Sequence, residues 1–288
     1  MKERWELRPQ WHRKAVAWAF FLPNFLGVLW FFLVPMVRVL LSSFQSAMGG
    51  RWVGLQNYGA VLKNPAFLLA AKNTGKFILI CVPLLVGLSL LLAVALRTLG
   101  RRGSFLRSSY LLPMAVPAAS VVLVWKMLFH DRGLLNHGLM ALGLDGVAWM
   151  DSAGAFWMLV ISYLWKNLGY TVILWTAGLL AIPQSVYEAA QVDGADGWQT
   201  LWHITLPCLK PTAYTITVLS VLNSFKVFRE AWLVAGDYPH ESMYLLQHLY
   251  NNWFRELDFD KIAAASVLTS LVVLVLIFCL RRSWDRED

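Results

Sequence analysis

The stretch that decides the fold is FILICVPLLVGLSLLLAVAL, residues 77–96, which contains no charged residue. A second uncharged stretch, IAAASVLTSLVVLVLIFCL at residues 262–280, lies near the end of the chain. The hydrocarbon core of a bilayer requires about 20 apolar residues of helix. Each stretch therefore has the length and composition of a transmembrane helix.

Four further apolar runs reach a similar length with few interruptions: residues 15–41, 108–129, 153–182 and 212–235. Lipid offers no hydrogen-bond partner to free backbone groups, so a helix is favoured in each run. Strands of a β-barrel would alternate apolar and polar residues, and these runs do not. We predict an all-α, polytopic membrane protein with six transmembrane helices. The transmembrane domain spans residues 15–281, between tails at 1–14 and 282–288.

The composition supports this class of protein. Hydrophobic residues make up 58% of the 288 residues and charged residues 15%, where a soluble domain has about a quarter charged. The net charge of +8 comes from basic residues at helix ends, so it does not indicate a nucleic-acid partner. The two tails and the loop at 97–107 are the most basic connections. The positive-inside rule therefore predicts that both termini are cytoplasmic.

The cytoplasmic loop between the fourth and fifth spans, residues 183–211, reads PQSVYEAAQVDGADGWQTLWHITLPCLKP. Ser185 and Glu188 have the spacing of a capping box, and the same pattern begins again at Asp196. Gly194, between the two patterns, is a natural helix stop. The loop is thus predicted to form two short helices joined at Gly194.

This loop resembles the EAA loop of binding-protein-dependent permeases of ATP-binding cassette (ABC) importers. The matching elements are Glu188-Ala189-Ala190, then Gly194, then Ile204-x-Leu206-Pro207. Other segments are similar to the sugar-permease branch of the family: VGLQNY at 53–58, Asn73-Thr74, residues 107–113, Trp125-Lys126, Trp165-Lys166 and Asp193-Gly194-Ala195. One departure is GDYP at 236–239, where the family often has Gly-Gly-Pro.

The resemblance implies a type I ABC importer permease in the bacterial plasma (inner) membrane. It implies three protein partners: a second homologous permease subunit, a cytoplasmic ABC ATPase dimer, and an extracytoplasmic solute-binding protein that delivers a carbohydrate. The chain has no Gly-x4-Gly-Lys-Ser/Thr loop, so ATP and Mg are expected in the ATPase, and no cofactor is expected here. The residues expected to couple to the ATPase are Ser185, Glu188, Ala189, Ala190, Asp193, Gly194, Ile204, Leu206 and Pro207. For Glu188 alone, a role as a simple helix cap is the alternative.

Polar side chains inside the spans are candidates for the substrate pathway, because such groups are costly in contact with lipid. In the fifth span, Ser220, Asn223, Lys226 and Glu230 share one helix face, and Arg229 lies beside them. Lys226 and Glu230 are four residues apart and have the spacing of an ion pair. The alternatives for this set are a clamp between helices or charged side chains that extend to the membrane surface.

The fourth span contributes Tyr163, Lys166, Asn167 and Tyr170. Lys166 lies near the middle of this span, where exposure to lipid is unfavourable. The sequence leaves two roles open for it, lining a cavity or forming a buried structural pair.

Two other classes of protein compete with this interpretation. An ion-coupled secondary transporter would need no loop for an ATPase and often has inverted repeats, which the sequence does not show. A membrane-embedded enzyme would need clustered His, Asp or Cys residues. We predict no catalytic residues and no metal ligands in this chain.

Overall fold

The structure, a computed structural model, describes residues 10–47, 50–98 and 112–285. Within these ranges the backbone is helical apart from turns and short extended connections, and Gln45 and Trp52 form an isolated β-bridge. The α-helices are α1 Gln10–Val28, α2 Val34–Ser42, α3 Gln56–Leu62, α4 Pro65–Thr98, α5 Leu112–Ala115, α6 Ala118–Phe129, α7 Leu134–Ala141, α8 Ala155–Ala181, α9 Gln184–Val192, α10 Gly197–Thr200, α11 Leu206–Cys208, α12 Lys210–Ser224, α13 Phe228–Ala235, α14 Leu246–Arg255 and α15 Phe259–Asp285.

Three helical segments are long and apolar enough to cross a membrane, namely Val16–Ser42, Pro65–Arg97 and Phe259–Arg282. A fourth candidate is the pair α8 and α9, which meet at a bend of 66°. These segments coincide with the first, second, sixth and fourth predicted spans. The first one runs through α1, a π-helical turn at Leu29–Leu33, and α2.

The two remaining predicted spans are also helical where they are described. The third includes α5 and α6, and its first residues lie outside the described part of the chain. The fifth consists of α12 and α13 joined by a 3-10 turn, Phe225–Val227. The prediction of an all-α membrane fold is confirmed.

The chain separates into two compact units, and the first contains Met1–Lys63 and Trp253–Val272. In its described part, Ser43 and Tyr58 share a hydrogen bond of 2.6 Å. The Asn57 side chain donates to the backbone oxygens of Ser43 and Gln45 at 3.0 and 2.8 Å. These bonds fix α3 to the end of α2, so Asn57 and Tyr58 of the VGLQNY segment have a structural role.

The second unit contains Asn64–Asn252 and Val273–Asp288. Its core is formed where α4 packs on α8, and the Phe77 ring meets the Tyr163 ring edge to face at 5.4 Å. Further along, the Trp175 indole donates to Ser89 Oγ at 3.0 Å. Lipid is itself apolar, so close packing of these side chains and the hydrogen bond stabilise the pairing of α4 with α8.

Gly178 allows α8 and α12 to approach each other closely. A Cβ at this position would lie 2.6 Å from Thr212 Oγ1, which is too short for any real contact. Around it, Trp175, Leu179 and Ile216 are buried in one apolar cluster. The fourth and fifth predicted spans are therefore packed side by side.

The segment that follows α13 is held against α4 by polar contacts. Asn73 donates to the backbone oxygens of Glu241 and Tyr244 at 2.6 and 3.0 Å. Thr74 Oγ1 accepts from the Leu246 backbone N–H at 3.0 Å. The Asn73-Thr74 pair thus satisfies buried backbone groups at the start of α14.

Candidate functional site

The predicted coupling loop begins with a sharp change of direction after α8. Ile182 is extended and Pro183 precedes α9, so the fourth span ends at Ala181 as the proline predicts. The helix α9 then runs across the end of α8 at 66°. The result is a short helix whose outer side is exposed among the residues that the structure describes.

One of the two predicted capping boxes forms. Asp196 Oδ1 accepts from the Gln199 N–H at 2.7 Å, and Gln199 Oε1 accepts from the Asp196 N–H at 3.0 Å. The box predicted at Ser185 is wrong, because α9 starts two residues earlier, with Pro183 as its N-cap and no side-chain cap. Ser185 and Glu188 are therefore free of that role and are both exposed.

Gly194 ends α9 in the way that the sequence predicts. Its φ is +77°, in the left-handed region, and the Ala195 N–H donates to the Ala190 oxygen at 2.9 Å. The Gly194 N–H donates to Gln191 O at 3.1 Å. This is the hydrogen-bond pattern of a Schellman turn, for which glycine is the least strained residue.

The predicted coupling residues differ in exposure. Exposed positions form the outer side of the loop: Ser185, Glu188, Ala189, Asp193, Gly194 and Pro207. Ile204 and Leu206 are half-buried, and Ala190 is buried. Large apolar side chains share the outer side, since Val192, Trp198 and Trp202 are 87%, 68% and 53% exposed. An exposed apolar patch with polar neighbours is typical of a protein contact surface.

Tyr187 holds α9 in place, and the sequence analysis missed it. Its ring is stacked by the Arg97 guanidinium at 4.4 Å, and its hydroxyl accepts from Arg97 Nη1 at 2.9 Å. Thr205 Oγ1 lies 3.5 Å from the same hydroxyl. Tyr187 therefore links α9 to the end of α4 and to the π-helical turn Leu201–Thr205. Tyr187 precedes Ala190 by three residues and so lies on the same face of α9. An aromatic residue on the inner face of a short helix is the signal that would have indicated this role.

The second candidate site is a cavity of about 380 Å³ between α8 and the α12–α13 segment. It lies in the part of these helices that is away from α9. Seven predicted pathway residues line it: Tyr163, Lys166, Asn167, Asn223, Lys226, Arg229 and Glu230. The structure thus brings the two predicted sets, from the fourth and the fifth span, to one place.

Lys166 and Glu230 form an ion pair across this cavity. Glu230 is buried, with 4% of its surface exposed, whereas Lys166 is half-buried. The predicted pairing of Glu230 with Lys226, four residues away, is wrong. Glu230 is buried against α8, so its carboxylate pairs with Lys166 of that helix and not with Lys226 of its own segment.

Two predicted pathway residues lie off the cavity. Ser220 is buried, and its backbone oxygen accepts a 2.6 Å hydrogen bond from the Tyr163 hydroxyl. Tyr170 is half-buried one helical turn beyond Asn167. Both were predicted from their spacing along a helix. Spacing indicates which face a residue lies on, but it does not indicate how far along that face a cavity extends.

Several lining residues were missed by the sequence analysis: Met114, Ser162, Phe225, Val227, Phe228 and Gln247. Ser162 is a polar residue inside the fourth span, directly before Tyr163, so its position in the sequence could have indicated that it lines the cavity. Gln247 belongs to α14, which lies between the fifth and sixth spans, so its approach to the cavity has no signal in the local sequence.

The fold and these two sites define a membrane permease. The chain belongs to the family described as binding-protein-dependent transport system inner membrane component, whose model matches residues 85–285. This membership does not favour the ion-coupled transporter as an alternative.

Similar proteins with established names are permeases too. The chain is 30% identical over 273 residues to the arabinooligosaccharides transport system permease protein AraP of Halalkalibacterium halodurans, covering 92% of this chain and 86% of that one. It is 31% identical over 270 residues to the sn-glycerol-3-phosphate transport system permease protein UgpA of Agrobacterium fabrum, covering 91% and 92%.

A solved structure has the same fold. It is a bacterial ABC transporter involved in the import of the acidic polysaccharide alginate, with a TM-score of 0.83, 23% identity and 96% of both chains covered. Together with the family match, this likeness of fold confirms the prediction of an ABC importer permease-like fold.

Proposed function

We propose that this chain forms half of the pathway of an ATP-driven carbohydrate importer, beside a second homologous permease subunit. The observation that carries the proposal is the loop of α9 and Gly194, exposed on its outer side in a chain of the permease family. A cytoplasmic ABC ATPase dimer docks on this loop. ATP and Mg are bound by the ATPase, and this chain holds no cofactor.

The carbohydrate substrate is supported by the relatives. Their names include arabinooligosaccharides, lactose, and trehalose with maltose. A solute-binding protein as partner is supported by a similar solved transporter that was crystallised with a periplasmic protein carrying an alginate pentasaccharide. We assign the same kind of delivery to this chain.

The mechanism follows from the position of the two sites. Closure of the ATPase dimer on ATP moves α9, which Tyr187 ties to α4, and the spans exchange between inward-open and outward-open packings. The cavity between α8 and α12–α13 lies on the substrate pathway. Both termini and α9 are on the cytoplasmic side, and the cavity lies toward the outer side.

Affinity purification of the chain from its native membrane tests this function. We expect an ABC ATPase and a second permease to co-purify, and ATP hydrolysis by the complex to rise when a loaded binding protein is added. A chain that purifies alone and transports sugar on an ion gradient would contradict the proposal.

A further inference from the structure

We propose that the cavity between α8 and α12–α13 selects an anionic carbohydrate, one that carries a carboxylate or a phosphate. The inference deepens the proposed function and rests on it, because it assumes that the cavity lies on the path of a sugar. What it adds is the charge of that sugar.

The charges that line the cavity do not cancel. Four charged side chains line it. Three are cationic, Lys166, Lys226 and Arg229, and the fourth is the carboxylate of Glu230. Glu230 is paired with Lys166, so the one carboxylate of the cavity is already neutralised. Lys226 and Arg229 remain as two positive charges.

These two cations have no anionic partner among the residues that the structure describes. Both are exposed, in contrast to the buried Glu230 beside them. The carboxylate of Asp237, which follows α13, accepts hydrogen bonds from the Trp232 indole at 2.7 Å and the Asn251 amide at 3.1 Å. A ligand is thus the natural source of a counter-charge for Lys226 and Arg229.

The spacing of the two cations suits a single anionic group. Lys226 and Arg229 are three residues apart, so they lie on one face across the 3-10 turn and the start of α13. Arginine binds carboxylate and phosphate with two parallel hydrogen bonds, and lysine adds a mobile point charge. Together they form an anion clamp of a kind that a neutral sugar does not need.

The rest of the lining suits the hydroxyl groups of a sugar. Asn167, Asn223, Gln247 and Ser162 offer both donors and acceptors, and Phe225 and Phe228 offer apolar surfaces. The volume of about 380 Å³ lies in the usual range for small-ligand sites. The cavity therefore combines a general sugar lining with a local excess of positive charge.

Uptake by the whole importer, reconstituted in liposomes with its own binding protein and ATPase, tests the inference. The radiolabelled probes are a galacturonate disaccharide, a sugar phosphate, and a neutral galactose disaccharide. We expect one anionic probe to enter about tenfold faster than the neutral one. Uptake of the galacturonate disaccharide would indicate a carboxylate substrate, and uptake of the sugar phosphate would indicate a phosphate substrate.

Variants connect that preference to the clamp. Lys226→Gln and Arg229→Gln should each slow uptake of the anionic probe about tenfold. Arg229→Lys keeps the charge but loses the two parallel hydrogen bonds, so it should slow uptake less. Lys63→Gln is the matched control, because Lys63 is exposed and does not line the cavity. ATPase co-purification should be unchanged in all four variants.

Each result bears on one proposal. ATP-dependent import of the neutral probe alone, or of no anionic probe, would overturn the anionic substrate while leaving the importer in place. Equal anionic uptake by wild type and both Gln variants would overturn the clamp. Loss of ATP dependence altogether would overturn the proposed function itself.

Discussion

At the scale of single residues, Gly194 determines the turn that ends α9 in the coupling loop. Its φ of +77° costs a non-glycine residue about 1–2 kcal/mol, and β-branched residues tolerate it least. We expect Gly194→Val to abolish uptake while membrane insertion stays normal, since the strain bends the turn away from its docking geometry. Gly194→Asn is the matched control, because asparagine accepts this conformation. Full uptake by the Val variant would contradict the role of the turn.

We expect removal of Lys166 and removal of Glu230 to lower the free energy of unfolding by different amounts. Lys166→Met leaves a buried carboxylate without its partner and should lower the free energy of unfolding by about 2 kcal/mol or more. Glu230→Gln should cost less, because the half-buried Lys166 keeps access to water. Thermal unfolding of the purified chain in detergent measures both, and the double variant Lys166→Met with Glu230→Gln completes the cycle. Equal losses in the two single variants would contradict this.

His248 should make the segment after α13 sensitive to acid. It is fully buried, and burial lowers its pKa to about 4, although the nearby Asp237 charge acts in the opposite direction. The unfolded chain, with a pKa near 6.5, takes up the proton first as pH falls. Stability is therefore complete above about pH 6.5 and is lost as the pH falls towards 4.

From pH 7 to pH 5 the expected loss is about 2 kcal/mol in the free energy of unfolding. Urea unfolding of the purified chain across this range measures it. In His248→Gln the loss from this residue should disappear. An identical pH slope in wild type and variant would show that another group is responsible.

At the scale of elements, the Tyr187 side chain links α9 to α4. Tyr187→Phe keeps the ring under Arg97 and removes the hydroxyl, so it costs about 1.5–3 kcal/mol for a hydrogen bond to a charged group. We expect the variant importer to hydrolyse ATP at a normal rate and to transport several-fold less substrate per ATP. Tyr238→Phe, on an exposed loop residue, is the control. A normal ratio of transport to hydrolysis would contradict the link.

The elements also show how far sequence reasoning reaches. All six apolar runs are mainly helical where they are described, because lipid offers no hydrogen-bond partner to free backbone groups; the third is interrupted between Ala115 and Ala118. Local turn chemistry was also predictable at Gly194 and Asp196. It failed at Ser185, where the fixed φ of Pro183 made the proline the N-cap and moved the start of α9.

The contacts between elements were less predictable. Helical spacing placed Lys226 beside Glu230, but the partner of Glu230 came from α8, which is 64 residues away in sequence. Likewise, Tyr187 and Arg97 are 90 residues apart. Such pairings depend on how helices pack, and a single sequence contains no direct signal for them. Seven of the predicted polar residues line one cavity, but the predicted partner of Glu230 was wrong.

At the scale of the whole molecule, the two sites stand at opposite ends of the same helices. The loop around α9 follows α8 directly, and the cavity lies between the other half of α8 and the end of the fifth span. Helices are stiff, so a displacement at α9 is carried along α8 to the residues that line the cavity. We predict that nucleotide binding to the ATPase moves the loop and that substrate binding changes the cavity. Both changes are parts of one change in helix packing.

The most direct test asks which side of the membrane α9 occupies and what covers it there. In a chain whose Cys81, Cys208 and Cys279 are replaced by serine, Glu188→Cys and the control Tyr238→Cys are treated with a membrane-impermeant thiol reagent. We predict that Glu188→Cys is labelled in inverted vesicles stripped of ATPase, is protected when the ATPase is added back, and is silent in spheroplasts, where Tyr238→Cys reacts. Labelling of Glu188→Cys in spheroplasts would place α9 outside the cell and contradict the account.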